Sequence, residues 1–354
     1  MKKTIKVILI ILGVIVFLAA ALIAWLSITE YNPEPVTPLE IECNAQADTK
    51  PLKIGDTVTV TSWNCGYAGL GKESDFFMDG GTEVAAADNE QVNEYLTGIY
   101  DTLYSEENAS DIYMLQEIDT DSTRTYGINE RDKLGIYNNA YALNHSCPFV
   151  PYPVPPIGRV NAGLLTNTVF EISEAERISL PCPFSWPVSA ANLKRCLLVS
   201  YLPIEGSDKQ LVVVNLHLEA YDSGEGKIAQ TKQLREFIFN EYKKGNYVIA
   251  GGDFNQVFPG ALEIYPNNHT DLWQPGVLYS DSFRLGWKFA YDTSTPSCRL
   301  LNQPYDPSDT ENTQYYTIDG YILSPNIKLM SVKTLDMGFV NSDHNPVRLQ
   351  VILK

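Results

Sequence analysis

The chain has 354 residues, of which 44% are hydrophobic and 19% charged, enough for one large globular domain or two ordinary ones. It carries 43 acidic and 26 basic side chains, which gives a formal net charge of −17. A surface of this charge repels polyanions at long range, so the composition argues against an extended nucleic-acid interface. This composition is compatible with a small basic pocket, which could bind a short nucleic-acid substrate.

The N-terminus differs from the rest of the chain. Three lysines precede residues 7–26, a run of twenty residues without a charge, and this run is long enough to span the core of a bilayer as a helix. No small-residue cleavage site follows, which favours an uncleaved anchor over residues 1–29 rather than a signal peptide. With the lysines before the span and Glu30 and Glu34 after it, we expect a single-pass cell-membrane protein with a cytoplasmic N-terminus and an extracytoplasmic domain.

Behind the anchor, residues 30–54 contain several prolines and are predicted to form an extended, stiff spacer. Residues 55–354 are predicted to form the folded domain. Within it, Cys147, Cys182 and Cys298 lie in predicted loops, where an extracytoplasmic location would allow one disulfide, but the spacing does not select a pair.

From residue 55 onward, short β-rich runs alternate with helical patterns. The predicted strands are 57–63, 111–116, 162–166, 196–202, 211–218, 247–250, 318–323 and 347–353. Apolar residues at helical spacing predict helices around 92–103 and 228–242. Strands mixed with helices and without an internal linker indicate one α/β domain with two covered sheets. The proline-rich segments 148–156 and 181–187 are predicted as surface loops of the kind that often shape a substrate site.

Polar residues occur at the ends of these strands in a regular way. Four predicted strands end at polar residues, and two more have polar residues at or just before their start. These polar residues are Asn64, Glu117, His217, Asp253, Asn255, Asp319, Asp343 and His344. In antiparallel neighbours the start of one strand lies beside the end of the next, so all these segments can converge on one edge. Each residue alone is typical of a turn, a cap or a solvated loop. Together they indicate a site, because two of the four histidines in the chain belong to this set.

The motifs that carry these residues are SWN (62–64), LQE (115–117), NLHLE (215–219), GGDFN (251–255), IDGYIL (318–323) and SDHNPV (342–347). In this order they resemble the endonuclease/exonuclease/phosphatase superfamily, which includes deoxyribonuclease-I-like nucleases, neutral sphingomyelinases and inositol polyphosphate 5-phosphatases. The resemblance implies a four-layer α/β sandwich with two mixed β-sheets packed face to face, here preceded by one transmembrane helix.

Hydrolysis of a phosphoester needs a cation to neutralise the anion, a positioned water and a proton acceptor. Asn64, Glu117 and Asp343 offer the oxygen ligands that Mg²⁺ or Mn²⁺ prefers. His344 is the candidate general base, since imidazole titrates near neutrality. The resemblance implies that Asp319 holds the second ring nitrogen of His344.

The remaining candidates would contact water and substrate. Asp253 would orient the attacking water and Asn255 would donate to a phosphate oxygen. His217 would hydrogen-bond the phosphate, as the resemblance implies. Arg159, Asn161 and Arg195 are the candidate substrate-binding residues nearest to the motif strands.

The function expected from the sequence is a membrane-anchored, extracytoplasmic, divalent-metal-dependent phosphoester hydrolase, either a phosphodiesterase or a phosphatase. Its expected substrate is a phospholipid headgroup or a small phosphorylated molecule. An extracellular DNA or RNA endonuclease is the alternative within the same chemistry. A catalytically silent binding module is the alternative of another class, and the sequence argues against it because every motif position holds a residue able to perform its role.

Overall fold

The computed structural model of the protein describes residues 2–43, 49–309 and 311–354. Within them lie the helices α1 (Lys2–Ile28), α2 (Asn89–Tyr104), α3 (Glu130–Leu134), α4 (Glu225–Lys243) and α5 (Ala261–Ile264). The strands are β1 (Val36–Pro38), β2 (Ile41–Glu42), β3 (Thr57–Asn64), β4 (Ile112–Asp119), β5 (Asn138–Val150), β6 (Gly158–Thr168), β7 (Glu174–Ser179), β8 (Cys196–Pro203), β9 (Gln210–His217), β10 (Tyr247–Asp253), β11 (Gln256–Val257), β12 (Gly276–Val277), β13 (Lys288–Ala290), β14 (Cys298–Arg299), β15 (Tyr315–Tyr316), β16 (Asp319–Leu323), β17 (Ile327–Thr334) and β18 (Val347–Leu353).

Two mixed sheets of seven strands form the centre of the domain. The first sheet has the order β1-β7-β8-β9-β10-β16-β13, and the second has the order β17-β18-β3-β4-β6-β5-β2. Their facing sides share one apolar core, to which Val58 and Met114 contribute from the second sheet and Val213 and Ile249 from the first. The predicted face-to-face packing of two mixed sheets is confirmed.

Helices cover the outer faces of both sheets. Leu234 and Ile238 of α4 pack on the first sheet, and Val92 and Ile99 of α2 pack on the second. In each helix the buried residues recur every three or four positions, which places them on one face. The result is the four-layer α/β sandwich expected from the sequence.

All eight predicted strands lie on observed strands, with ends that differ by a few residues. Among the strands of the two sheets, the sequence did not predict β1, β2, β5, β7, β13 and β17. Polar residues interrupt the alternation in β5, which reads NNAYALNHSCPFV, and β17 is an edge strand with mostly exposed or half-buried positions. Edge strands need little apolar patterning because one side of their backbone faces solvent.

The segment predicted as a spacer is folded onto the domain where the structure describes it. Residues 36–38 pair with β7 as an edge strand of the first sheet, and residues 41–42 pair with β5 at the edge of the second. Residues 44–48 of this segment lie outside the described residues. Pro38 suits its position in the first of these strands, because an edge strand leaves backbone groups that need no partner within the sheet.

Helix α1 is long and apolar enough to cross a membrane, with a mean hydropathy of 3.3 in its most apolar 18-residue window. Its side chains are exposed from Lys3 to Ala21, whereas Leu26 near its C-terminal end is buried against Cys147 and Ala190. The last turns of the helix therefore pack on the domain.

The cysteines are free thiols. Cys147 and Cys298 are buried and Cys182 is exposed, and the structure pairs none of the three in the disulfide that the sequence left open.

Candidate active site

In the first sheet, three strands bring their polar residues to one end. Strands β9 and β10 are parallel, with His217 opposite Asp253. Strand β16 runs antiparallel to β10, with Asp319 opposite Asp253 on the other side. The strand register alone therefore places His217, Asp253 and Asp319 in one row, as the sequence predicted.

The second sheet presents its residues at the same end. Strands β3 and β4 are parallel, and β18, which follows Asp343 and His344, is antiparallel to β3. The Asn64 amide joins the two sheets, because its Nδ2 atom lies 3.0 Å from Glu117 Oε1 and 3.1 Å from Asp253 Oδ2. The motif residues of both sheets thus form one cluster.

Glu117 reaches this cluster through an irregularity of its strand. The pairing of β4 with β6 shifts between Leu115 and Ile118, and Glu117 has a φ of 52°. A bulge of this kind re-aims a side chain, and left-handed backbone in a residue other than glycine is typical of functional sites. The Glu117 side chain is 24% exposed, while those of Asp253, Asp319 and His344 are at most 5% exposed. Its carboxylate therefore faces the open space beside the cluster.

His344 is oriented by Asp319. Its Nδ1 atom lies 2.8 Å from Asp319 Oδ2, and the Ser297 hydroxyl donates to the same oxygen at 2.8 Å. Its Nε2 atom lies 3.7 Å from Asp343 Oδ2 and 3.8 Å from Asp253 Oδ2. Burial lowers the pKa of His344, but the negative charges around it, Asp319 foremost, raise that pKa well above its usual value.

His217 has the opposite electrostatic environment. Burial, the Arg195 guanidinium and His344 lower the pKa of His217 well below its usual value, so its imidazole is neutral. Its Nε2 atom lies 3.4 Å from Asp253 Oδ2, and its Nδ1 atom is buried without a hydrogen-bond partner in the protein. This nitrogen is available to a ligand.

The acids of the cluster are crowded. Burial and the neighbouring Asp319 carboxylate raise the pKa of Asp253 to about 7. Burial raises the pKa of Asp343 to about 7 as well, with Glu117 adding to this and His344 opposing it. Buried carboxyl groups that repel one another are the donor set expected of a cation site.

The predicted ligands are connected through Asn64. The Asn64 amide contacts Glu117, and the hydroxyl of Ser342, next to Asp343, donates to the Asn64 carbonyl at 2.8 Å. A Cβ atom added at Gly66 would lie only 2.9 Å from Asp343 Oδ1. Gly66, with a φ of 52°, therefore leaves room beside this carboxylate that another residue would fill. Oxygen donors of this kind fit Mg²⁺ or Mn²⁺.

Asn255 also lies at the cluster, with a φ of 49°. Its backbone N–H donates to Asp253 Oδ1 at 2.8 Å, and its Nδ2 atom donates to the Leu218 carbonyl at 2.8 Å. One of the two Nδ2 hydrogens is thus engaged, and the other can serve a ligand.

The three predicted substrate-binding residues separate in space. Arg195 is buried, and its Nη1 atom donates to the His217 carbonyl at 3.2 Å. Its Nε atom lies 3.4 Å from Glu219 Oε2. Arg159 instead pairs with Asp121 at 2.6 Å on the surface, and Asn161 accepts a hydrogen bond from Ser146. The residues that line the cavity around the cluster include Arg195 but neither Arg159 nor Asn161.

The cluster lies in a cavity of about 560 Å³. Two further arginines, Arg124 and Arg299, line the cavity, and neither is among the site residues expected from the sequence. Arg124 donates two hydrogen bonds of 2.9 Å to Asp119 and stacks on Tyr67. Neither arginine follows a strand or belongs to a motif, so no sequence signal would have identified them.

Comparisons with known proteins bear on the fold. No protein-family model and no curated protein matches the chain. Solved structures that resemble it include an endonuclease/exonuclease/phosphatase from Beutenbergia cavernae, with 15% identity, a TM-score of 0.55, and 84% of this chain and 72% of that chain covered. An endonuclease/exonuclease/phosphatase family protein from Bacteroides thetaiotaomicron has 13% identity and a TM-score of 0.51, with 85% and 99% covered.

TDP2 from Caenorhabditis elegans is a third such structure, with 17% identity, a TM-score of 0.50, and 84% of this chain and 74% of that chain covered. The chain therefore has the fold of endonuclease/exonuclease/phosphatase proteins. At these identities the similarity shows the fold alone.

Proposed function

We propose that this chain is a membrane-anchored, divalent-metal-dependent phosphoester hydrolase. The observation that carries the proposal is the buried His344–Asp319 pair, whose second imidazole nitrogen faces a carboxylate and amide cluster built from the ends of two sheets. A proton acceptor beside oxygen ligands for a cation is the arrangement that hydrolysis of a phosphoester requires.

Asn64, Glu117 and Asp343 are the residues that would hold Mg²⁺ or Mn²⁺. The cation would neutralise the phosphate charge and stabilise the charge that builds up as the phosphorus–oxygen bond breaks. The crowded, buried carboxyl groups and the space beside Gly66 support this assignment.

His344 would accept the proton of the attacking water at Nε2, while Asp319 keeps Nδ1 protonated. The raised pKa of His344 comes largely from nearby acids, and Asp343 is also one of the proposed ligands. With the ligand carboxylates neutralised, the imidazole releases its proton more readily and can act as a base.

The other polar residues would position the reactants. Asp253 would orient the water, because its Oδ2 atom lies 3.8 Å from His344 Nε2. His217, in the neutral tautomer that carries its proton on Nδ1, and the free Asn255 N–H would donate hydrogen bonds to phosphate oxygens. The oxygen of water bonds to phosphorus, the bond to the leaving alcohol breaks, and that alcohol leaves with a proton.

The anchor supports an extracytoplasmic location for this reaction. Lysines precede α1 and acids follow it, and positive charge usually remains on the cytoplasmic side. Protease added outside intact cells should then digest the domain, and full protection of the domain would contradict this orientation.

The test is turnover by the full chain in detergent micelles of bis-p-nitrophenyl phosphate and p-nitrophenyl phosphate with Mg²⁺, Mn²⁺ or EDTA. We expect metal-dependent hydrolysis that falls by about 100-fold or more in Glu117→Gln and in His344→Ala, because each removes a group acting directly at the reaction. Glu171→Gln, at an exposed position, is the matched control and should retain full activity.

Activity that survives EDTA and both substitutions would contradict the proposal. A folded chain without turnover and without calorimetric binding of Mg²⁺ or Mn²⁺ would instead identify the protein as a silent module of this fold.

A further inference from the structure

The cavity that holds the cluster has a polar end and an apolar end. The apolar end is walled by Leu22, Ile23 and Leu26 of α1 and, from the domain, by Val150, Val188 and Ala191. Resting on the function proposed above, we infer that the substrate is a membrane lipid phosphoester whose hydrocarbon chain lies in this apolar end, against α1. The phosphate then lies at the polar end, among the residues of the cluster.

Helix α1 is held in this position by specific contacts. Leu22, Val150 and Ala191 pack against the small buried cluster of Leu26, Cys147 and Ala190. Leu22, Ile23 and Leu26 are one residue and one turn apart, so they share the face that α1 turns towards the domain. The wall that α1 contributes is therefore part of the packed structure.

Two polar contacts secure the end of the helix. The Trp186 indole donates to the Ser27 hydroxyl at 2.8 Å. The Lys194 ammonium pairs with Glu30 at 2.5 Å, and both side chains are less than a quarter exposed. These contacts fix the position of the helix end relative to the loop that carries Val188 and Ala191.

The position of these residues along α1 sets the level of the cavity in the bilayer. Six residues separate Leu22 from Ile28, which amounts to about 9 Å of helix. The apolar wall thus lies within the outer 9 Å or so of the span, the level at which headgroups meet acyl chains. A lipid can reach this opening from the bilayer without leaving it.

The loops around the opening fit such a location. Tyr152, Val154, Trp186 and Val188 are 69%, 92%, 62% and 57% exposed, respectively. Large exposed apolar side chains in two neighbouring loops are unusual on a surface in contact with water, while tyrosine and tryptophan are favoured at membrane interfaces.

A water-soluble phosphate compound would occupy only the polar end and would leave the apolar wall in contact with water. A hydrocarbon chain fills that end and gains from its burial. The cavity volume of about 560 Å³ lies within the range of about 300 to 1,000 Å³ that is typical of small-molecule sites. It suits a phosphate with part of a chain.

The experiment compares short and long esters of equal charge, using the full chain with Mg²⁺ in micelles of a phosphate-free detergent. One pair of probes consists of the diesters p-nitrophenyl methyl phosphate and p-nitrophenyl dodecyl phosphate, which report diesterase activity. The other pair consists of the monoesters methyl phosphate and dodecyl phosphate, which report monoesterase activity. The readout is the ratio of kcat/KM for the dodecyl ester to that for the methyl ester, in which effects on charge and chemistry cancel.

We expect wild type to favour the dodecyl ester by about tenfold or more, since each buried methylene favours binding by about fourfold. Val188→Asp, which places a charge at the apolar end, should remove most of that preference. Ala191→Trp, which fills the same space without a charge, should do so as well. Leu285→Asp is the matched control, because Leu285 is fully exposed and does not line the cavity, and it should keep the ratio.

Equal kcat/KM for the two chain lengths in wild type would overturn the inference, and so would a preference that survives both substitutions. In either case hydrolysis of the methyl esters would leave the proposed function standing. A folded, metal-loaded chain that hydrolyses none of the four esters would overturn the proposed function, and the inference with it.

Discussion

The His344 imidazole has its Nδ1 atom 2.8 Å from Asp319, which leaves Nε2 directed towards Asp343 and Asp253. In the proposed mechanism Asp319 acts through His344, as a positioning residue. Its place is fixed in turn by Ser297, whose hydroxyl donates to Asp319 Oδ2 and accepts from the backbone N–H groups of Ile318 and Asp319. The tautomer of His344 therefore depends on one carboxylate and on the chain around it.

This geometry predicts the effect of Asp319→Asn. The amide can present an N–H to His344 Nδ1, which favours the tautomer with its proton on Nε2 and so blocks proton acceptance there. We expect kcat for bis-p-nitrophenyl phosphate to fall by about 100-fold or more with little change in KM. Asp281→Asn, at an exposed position, is the control. A variant that loses substrate affinity and keeps kcat would show that Asp319 does not act through His344.

At the scale of the elements, a buried polar contact joins the two sheets beneath the site. Gln116 Nε2 donates to Asn215 Oδ1 at 2.8 Å. Asn215 Nδ2 donates to the carbonyls of Leu115 and Leu165, both at 3.1 Å. One side chain of the first sheet thereby holds two strands of the second, including β4, which carries Glu117.

We therefore expect Asn215→Leu to destabilise the fold by about 2 to 4 kcal/mol, because Gln116 and two backbone carbonyls of the second sheet lose a buried partner in a site without water access. Urea denaturation of the detergent-solubilised chain, followed by tryptophan fluorescence, measures the loss. The double substitution Gln116→Leu with Asn215→Leu should cost less than the sum of the single changes, since the two side chains share one interaction. Strict additivity of the free energies of unfolding would refute the coupling.

Alternation of apolar residues and the polar strand ends were enough to predict the four central strands of each sheet and the convergence of the cluster, because these features are local in sequence and strand direction brings the strand ends together. The position of α1 was not predictable in this way. Leu26 meets Cys147 and Ala190, more than a hundred residues away, and no local pattern encodes that contact. Arg159 is a substrate candidate because it lies near the motif strands in sequence, and in the structure it pairs with Asp121, which lies on a loop.

At the scale of the whole molecule, the chain carries a net charge of −17, whereas the substrate that we propose is an anion. The three arginines that line the cavity lie close to acids or carbonyl oxygens of the protein, with Arg124 on Asp119, Arg195 near Glu219 and Arg299 on the Gly71 carbonyl. Their charge offsets part of the local field and gives no continuous basic track. Long-range electrostatics therefore oppose the approach of a soluble anionic substrate.

Salt should relieve this repulsion. With saturating Mg²⁺, raising NaCl from about 10 to 200 mM should increase kcat/KM for bis-p-nitrophenyl phosphate severalfold, because the added ions screen like charges. The control is p-nitrophenylphosphorylcholine, a diester without net charge, whose kcat/KM should change little. A fall in kcat/KM with salt for the anionic diester would indicate a basic binding surface and favour the nuclease alternative.

Leu26 belongs both to a helix that is long and apolar enough to cross a membrane and to the wall of the cavity. If the protein hydrolyses a membrane lipid as we propose, this one side chain couples anchoring to substrate access, and the encounter between enzyme and lipid is two-dimensional. The quantity that governs the rate is then the mole fraction of the lipid in the host leaflet, not its concentration in the surrounding volume. Such an enzyme acts on the membrane in which it resides, and neighbouring membranes are out of its reach.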